Sequence, residues 1–318
     1  MNHVLIFPQL FTQGIHRINN SGMSFELNPV NRILRFQFVL FYFFSFFFHE
    51  AGLGSSIAGQ TAKTIRIAGS TTVAPIASRA AEIFSKKHPE IRIIVNGGGS
   101  GVGVNAVGRG QVDIGMASRE MTQKELKRFA AAMLSKHIVG RDGVACAVSS
   151  EIFDAGVKTL SKKQIGDIYS GRVKSWKAFG GPDRRILVID KEKHRGTRHV
   201  FMKYVFNKEG ASAKAARLIT GSNNEERSKI AQSDSAIGML SAAWLNAEVK
   251  GVALNENETA IYPTEENIRK GVYPVVRNLL FITAGEAKGM LKEFIDFVQS
   301  AEGSSIVKES GYVPVHGS

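Results

Sequence analysis

Past residue 60 the chain alternates short apolar runs with apolar stripes at helical spacing. Thr64–Ala68 and Ile91–Val95 read as strands, and between them Val73, Ile76, Ala77, Ala80, Ile83 and Phe84 mark one helix face. Ser100 is placed to cap a short helix, Val112–Met116 reads as a strand, and Thr122 with Glu125 forms a capping box before a helix to about Leu134. Strands follow at Ile138–Val139 and Gly143–Val148. After residue 150 the pattern restarts, with a capping box at Ser161/Gln164, turn residues at Gly180–Asp183, a strand at Ile186–Asp190, a helix over Thr197–Phe206 and a strand at Ala236–Leu240. Val275–Thr283 reads as a last strand, and Ala287, Met290, Leu291, Phe294, Ile295 and Val298 stripe a helix. This alternation predicts an α/β protein with parallel, doubly wound sheets in two units of about 100–150 residues.

The first 58 residues are different. Eleven of the 20 Phe precede residue 59, and eight of them lie in the apolar run Phe36–Phe48, which Arg32 and Arg35 precede. A spanning helix needs roughly 20 apolar residues, so the run is short for an anchor and suits the core of an export signal. Ser56-Ile57-Ala58 fits a small-x-small cleavage site, and Met23 makes a better signal start than Met1. An uncleaved membrane anchor is the competing reading. The one cysteine, Cys146, sits in the apolar run Val144–Val148, far from any lipid-attachment position. An exported, unlipidated protein of this kind is expected in a periplasm.

Residues 1–58 hold three Arg and two Glu of the chain's 41 basic and 28 acidic side chains, so residues 59–318 carry +12. That excess concentrates anions near the surface. Nucleic acid is not the expected partner, because basic residues are not interleaved with aromatics along any element.

Three loops follow strands, open helices and carry small or hydroxyl residues: Gly69-Ser70-Thr71-Thr72, Gly97–Gly101 with Gly99 and Ser100, and Arg195-Gly196-Thr197-Arg198. Backbone N–H groups at such helix starts suit an anion, and Ser and Thr hydroxyls add donors. Each loop alone is better explained by ordinary capping, but in doubly wound sheets the strand carboxyl ends share a crevice where three can converge on one ligand. Ser118 and Arg119 follow a strand at the same edge, and Arg119 offers a planar fork matched to an oxyanion. Competing motifs are weaker. Gly101-x-Gly103-x-x-Ala106 satisfies a loosened dinucleotide fingerprint but follows the second strand, and Gly166–Val173 lacks the lysine of a phosphate loop. His194 and His199 are badly spaced for a metal, no metal or cofactor is expected, and no residue is readable as nucleophile or general base.

With those loops in place the chain resembles the phosphate-binding proteins of bacterial phosphate ABC transporters, in the compact branch of the periplasmic binding-protein family. The segments that carry the resemblance are Ile67–Ile76, Gly97–Gly103, Val112–Glu120, Ile168–Lys177 with Gly180–Asp183, Gly196-Thr197, Ala236–Leu240 and Phe294–Val298 through Gly311–Pro314. The resemblance implies a type II two-lobed fold in which each lobe is a doubly wound, mostly parallel sheet and phosphate lies between lobes. It places lobe I at residues 59–145 and 251–318 and lobe II at 146–250. It further implies first-lobe ligands at Ser70, Thr71, Thr72, Gly99, Ser100, Ser118 and Arg119, and second-lobe ligands at Gly196 and Thr197.

The second-lobe loop departs from the family pattern. Lys191 stands where relatives have Arg, and Arg195 where they have Ser, so Arg195 is expected to take over part of the missing arginine's role. Long-chain relatives also have a proton-accepting Asp at the position of Arg119, for which Asp142 and Glu120 are the substitutes considered. The expected function is a non-enzymatic solute-binding protein that takes phosphate and delivers it to a membrane ABC permease. The alternatives are another oxyanion (sulfate or molybdate), a ligand-sensing scaffold, or an exported phosphate-ester hydrolase.

Overall fold

The computed structural model describes residues 63–315, so the expected export segment over 1–58, with its cleavage site, lies outside the described residues. The strands are β1 Lys63–Gly69, β2 Ile91–Gly97, β3 Ile114–Ala117, β4 Leu134–Ser149, β5 Thr159–Ser161, β6 Leu187–Lys191, β7 Leu218–Thr220, β8 Ala236–Ser241, β9 Val249–Gly251, β10 Ala253–Glu256, β11 Thr259–Ile261 and β12 Val276–Ala284. The α-helices are α1 Ala74–Lys87, α2 Ser100–Gly108, α3 Gln123–Arg128, α4 Ser150–Asp154, α5 Lys162–Ser170, α6 Gly196–Phe206, α7 Asn223–Ala231, α8 Glu265–Arg269, α9 Met290–Gln299 and α10 Ala301–Glu309.

One main sheet runs β2-β1-β3-β12-β4-β8-β6-β7, with β9 added to β4, and a small sheet runs β11-β10-β5. At one end β1 lies parallel to β2 and β3, and at the other β6 lies parallel to β7 and β8. Between these parallel ends β12 and β4 pair antiparallel to each other and to their outer neighbours. The fold is therefore the expected α/β type with two parallel ends, joined by an antiparallel centre that a strand-and-helix count does not reveal.

Two cores form. Ile67, Ile76, Phe84, Phe281 and Phe294 anchor one, in which Phe84 and Phe294 meet edge to face at 5.3 Å. Val144, Leu160, Trp176, Phe201 and Met239 anchor the other. The segment 251–318, expected in the first lobe, divides between them. Its β10 pairs with β5, and Ile268, Tyr273 and Val275 pack into the second core, whereas Phe281, Phe294 and Ile306 pack into the first.

Two local expectations change. The helix expected to reach Leu134 stops at Arg128, where Phe129 leaves helical geometry (φ −111°, ψ 26°); a short turn over Ala130–Ala132 then ends at left-handed Met133 (φ 44°), and Leu134 begins a strand. The strands expected at 138–139 and 143–148 are one 16-residue strand, β4, which crosses from the first core to the second. Both capping boxes, Thr122/Glu125 and Ser161/Gln164, are present. Glycine also fixes one packing distance that matters below. A Cβ at Gly103 would lie 2.4 Å from the Met116 carbonyl oxygen and 2.8 Å from that of Ala68, so α2 can press onto β1 and β3 only with glycine there.

Candidate functional site

The close seat of α2 places its first residue against the end of β3. Ser118 N–H donates to Ser100 Oγ at 3.0 Å, and the two hydroxyls stand 3.3 Å apart. Ser100 therefore opens α2 without capping it; the N-cap is Gly99, in a left-handed conformation (φ 101°). Val73 before α1, Gly99 before α2 and Arg195 before α6 all lack a side-chain cap. Three helix starts thus direct N–H groups and positive dipole ends at one region without a side-chain acceptor of their own.

That region is a narrow cavity lined by Ser70, Thr71 and Thr72 after β1, Gly99 and Ser100, Ser118, Lys191 at the end of β6, Arg195, Gly196 and Thr197, and Ser222 and Asn223 at the start of α7. The space open to the centres of water-sized atoms is about 10 Å³, roughly what a single water needs, so the lining residues stand nearly in contact across it. Nine of the ten expected site residues line it. The tenth, Arg119, lies in the wall of a neighbouring cavity, where it forms a bidentate pair with Glu125 at 2.8 and 2.7 Å.

The cation that does reach these hydroxyls is one the sequence reading passed over. Arg277 on β12, 5% exposed, donates through Nη1 to Thr197 Oγ1 at 2.9 Å and Ser118 Oγ at 3.3 Å, and through Nη2 to Thr72 Oγ1 at 3.4 Å. Behind it Asp142 accepts Nη2 at 2.6 Å and Nε at 3.0 Å, plus the Ser241 hydroxyl at 2.9 Å. Burial pushes the Asp142 carboxyl above its ordinary range, against the pull of Arg277. The signal available in sequence was a lone arginine inside the apolar strand Val275–Thr283.

Arg195 is tied by Nε and Nη2 to Glu192 Oε2, at 2.8 and 2.5 Å, while its buried Nη1 has no hydrogen-bond partner. Lys191, 1% exposed at its side chain, sits 2.5 Å from Glu226 and donates to the Ser222 carbonyl at 3.0 Å. Burial pulls the Lys191 ammonium below its ordinary range and pushes Glu226 up; Thr220 Oγ1 and Met239 N–H add hydrogen bonds that favour the carboxylate. Asp142 and Glu120, the substitutes considered for a proton acceptor, do not line the cavity: Asp142 is behind Arg277, and Glu120 is at the surface with Lys136.

Contacts across the cavity close it. Asn223 Nδ2 donates to Thr72 Oγ1 at 2.9 Å, and Gly101 N–H donates to the His194 carbonyl at 3.0 Å. Gly196 packs so tightly that a Cβ there would lie 2.3 Å from Ser100 Oγ and 2.5 Å from Ser118 Oγ. Chemically the cavity offers hydroxyls, helix N–H groups and guanidinium donors, and neither carboxylate nor imidazole lines it. Among the described residues no group of three or more His, Cys, Asp or Glu is arranged to hold a metal ion. Cys146 is fully buried, which pushes its thiol well above the ordinary range.

A two-ended α/β sheet with helix starts converging on a small anion cavity defines a solute-binding protein. The superfamily model described as the PBP superfamily domain matches residues 54–302, and the chain belongs to that superfamily. Within it the chain belongs with the PstS phosphate-binding proteins. It is 35% identical over 254 residues to "Phosphate-binding protein PstS" of Bacillus subtilis, covering 79% of this chain and 81% of that one. The PstS protein of Borreliella burgdorferi is 28% identical, with 80% and 90% covered. Among solved structures, a substrate-binding protein assigned to a phosphate ABC transporter of Clostridium perfringens, with bound phosphate, superposes with TM-score 0.72 at 31% identity, covering 80% of this chain and all of that one. An ABC-type phosphate transport receptor from Vibrio cholerae gives 0.65 at 30% identity, with 78% and 99% covered.

Proposed function

We propose that this protein captures phosphate between two lobes and hands it to a membrane ABC permease, performing no covalent chemistry itself. The observation that carries the reading is that three helix starts without side-chain caps, the hydroxyls held by Arg277, and Arg195, whose Nη1 has no partner, meet at one narrow cavity. Ser70, Thr71, Thr72, Gly99, Ser100, Ser118, Arg195, Gly196 and Thr197 are the ligand-binding residues of this reading, and Arg277 replaces Arg119 as the central cation. Among the described residues lobe I comprises 63 to about 143 and about 277–315, and lobe II the residues between, following the division of the two main cores. The cavity's hydroxyls have no carboxylate or imidazole beside them to activate a nucleophile, which favours binding over hydrolysis.

Residues 1–58 serve in this reading as a cleaved export signal, which places the mature protein in a periplasm, unlipidated; the support is the short Phe36–Phe48 run behind two arginines. Among the described residues no helix is long and apolar enough to cross a membrane.

Sulfate is the second reading, because the lining has no carboxylate to accept a ligand proton, the feature that would separate hydrogen phosphate from a fully ionised anion. Thermal unfolding of the purified protein against phosphate, sulfate and molybdate decides. A ligand at a hundredfold over its dissociation constant adds about 2.7 kcal/mol, and phosphate is expected to give the largest shift. A larger shift with sulfate would transfer the function to that anion, and no shift with any of the three would reject the reading.

A further inference from the structure

Outside the seam between Gly101 and His194 lies a second cavity, of about 680 Å³, sharing no lining residue with the inner one. Arg109, Lys124, Arg128 and Lys193 line it; all four are exposed, and among the described residues none has a carboxylate partner. The one carboxylate in its wall, Glu125, is consumed by the bidentate pair with Arg119, whose Nη1 also donates to the Glu120 carbonyl at 2.8 Å. The cavity therefore keeps an uncompensated positive charge from three separate elements: the end of α2, helix α3 and the loop between β6 and α6. We infer that it is a second anion site, for a condensed inorganic phosphate such as tripolyphosphate.

Size and chemistry select that class. The cavity is far larger than a single tetrahedral oxyanion needs, and its cations are spread along the walls, so the complementary ligand carries its charges on several linked groups. Arginine forks match phosphoryl oxygens. No Phe, Tyr or Trp lines the cavity, and its one ring, His194, lies 3.3 Å from the Glu192 carboxylate, so a nucleotide base finds a poorer match than a chain of phosphoryl groups does. Lys193 and Arg195 also share one short loop, the first facing the outer cavity and the second the inner. An anion bridging Lys193 to α3 holds that loop against Gly101 and slows release from the inner cavity, a consequence that rests on the phosphate reading above.

The test is calorimetric titration of tripolyphosphate into the protein, phosphate-free and phosphate-saturated, at two salt concentrations. One saturable site is expected in both arms, weakening as salt rises. Arg109→Gln with Lys124→Gln and Arg128→Gln should weaken it by about tenfold or more. A control that removes equal charge elsewhere, Lys174→Gln with Arg185→Gln and Lys214→Gln, should leave it within about twofold. Equal loss in both triple variants, stoichiometric displacement by phosphate, or no saturable binding would each overturn the proposal. If phosphate itself fails to bind while tripolyphosphate binding stays sensitive to the first triple variant, the outer site stands and the phosphate reading falls.

Discussion

Arg277 joins both halves of the cavity, so its removal separates binding from folding. Arg277→Met leaves the Asp142 carboxylate 2% exposed, with the Ser241 hydroxyl as its remaining side-chain donor. Breaking a buried pair from one side costs about 3–5 kcal/mol of stability, because the orphaned charge stays desolvated. Adding Asp142→Asn removes that charge, and the double variant should return to within about 1–2 kcal/mol of the parent. Binding should not return. A desolvated guanidinium contact to an anion is worth about 2–5 kcal/mol, which is roughly 30-fold to several thousand-fold in dissociation constant. Urea unfolding without phosphate measures the first quantity and calorimetric titration with phosphate the second. The pH dependence is an internal check. Burial raises the folded pKa of Asp142 above its unfolded value, so protonation stabilises the folded state, and losing Arg277 raises it further. The deficit of Arg277→Met should therefore shrink as pH falls from neutral toward the unfolded carboxylate value near 4. A double variant that binds phosphate within about threefold of the parent would refute the reasoning and make Arg277 a purely structural residue.

Gly196→Ala should abolish tight phosphate binding with little loss of stability in the phosphate-free protein, since its Cβ would collide with Ser100 and Ser118 only when the cavity is closed; small-angle scattering with and without phosphate would show failed closure. Arg195→Gln removes a buried donor atom that has no partner and should weaken phosphate by about tenfold or more, mostly through faster dissociation in stopped-flow measurements. Arg119→Lys should leave phosphate affinity within about twofold while lowering stability, because its fork serves Glu125. Burial alone would raise the Glu125 pKa, but bonds from Arg119 and Thr122 lower it on balance, so its stabilisation is present above about pH 4.3 and is lost as pH falls through the lower folded value. Glu125→Gln should accordingly flatten the acid side of the stability profile measured by urea unfolding.

Strands and helices with strong periodicity were legible, as was the meeting of the three loops at one cavity, because each follows from local chemistry: alternation, glycine and hydroxyls at helix starts. Two things were not. The antiparallel β12–β4 centre depends on pairing residues more than a hundred positions apart, such as Val276 with Gly143, and no local pattern encodes that register. Which arginine stands beside the inner cavity was illegible for the same reason. Arg119 sits after a strand in the expected place, but a capping-box glutamate six residues on captures it, while Arg277 arrives from a distant strand. Only the oddity of a charged residue in an apolar run marked Arg277 out.

The substituted second-lobe loop is explained by where the charges go. A lysine at position 191 seemed a poor replacement for a fork, yet its ammonium is occupied by Glu226 and the Ser222 carbonyl, so it anchors the start of α7 and need not grip the ligand. In the phosphate reading the forks come from Arg277 and Arg195. Each of the three cations is backed by its own carboxylate, Asp142, Glu192 or Glu226, and none of those carboxylates lines the cavity. Buried cations without such partners would be costly in the ligand-free protein, and with them the frame is close to neutral before the anion arrives. In the phosphate reading, affinity rests on donors at the cavity wall, three helix starts and seven serine or threonine hydroxyls among them, and on the exclusion of water where Gly196 packs against Ser100 and Ser118. Such a frame rewards an ion by the fit of its oxygens to fixed donors more than by its total charge. A singly charged and a doubly charged tetrahedral anion of the same size should for that reason differ less in affinity here than across a cavity built from unpaired cations.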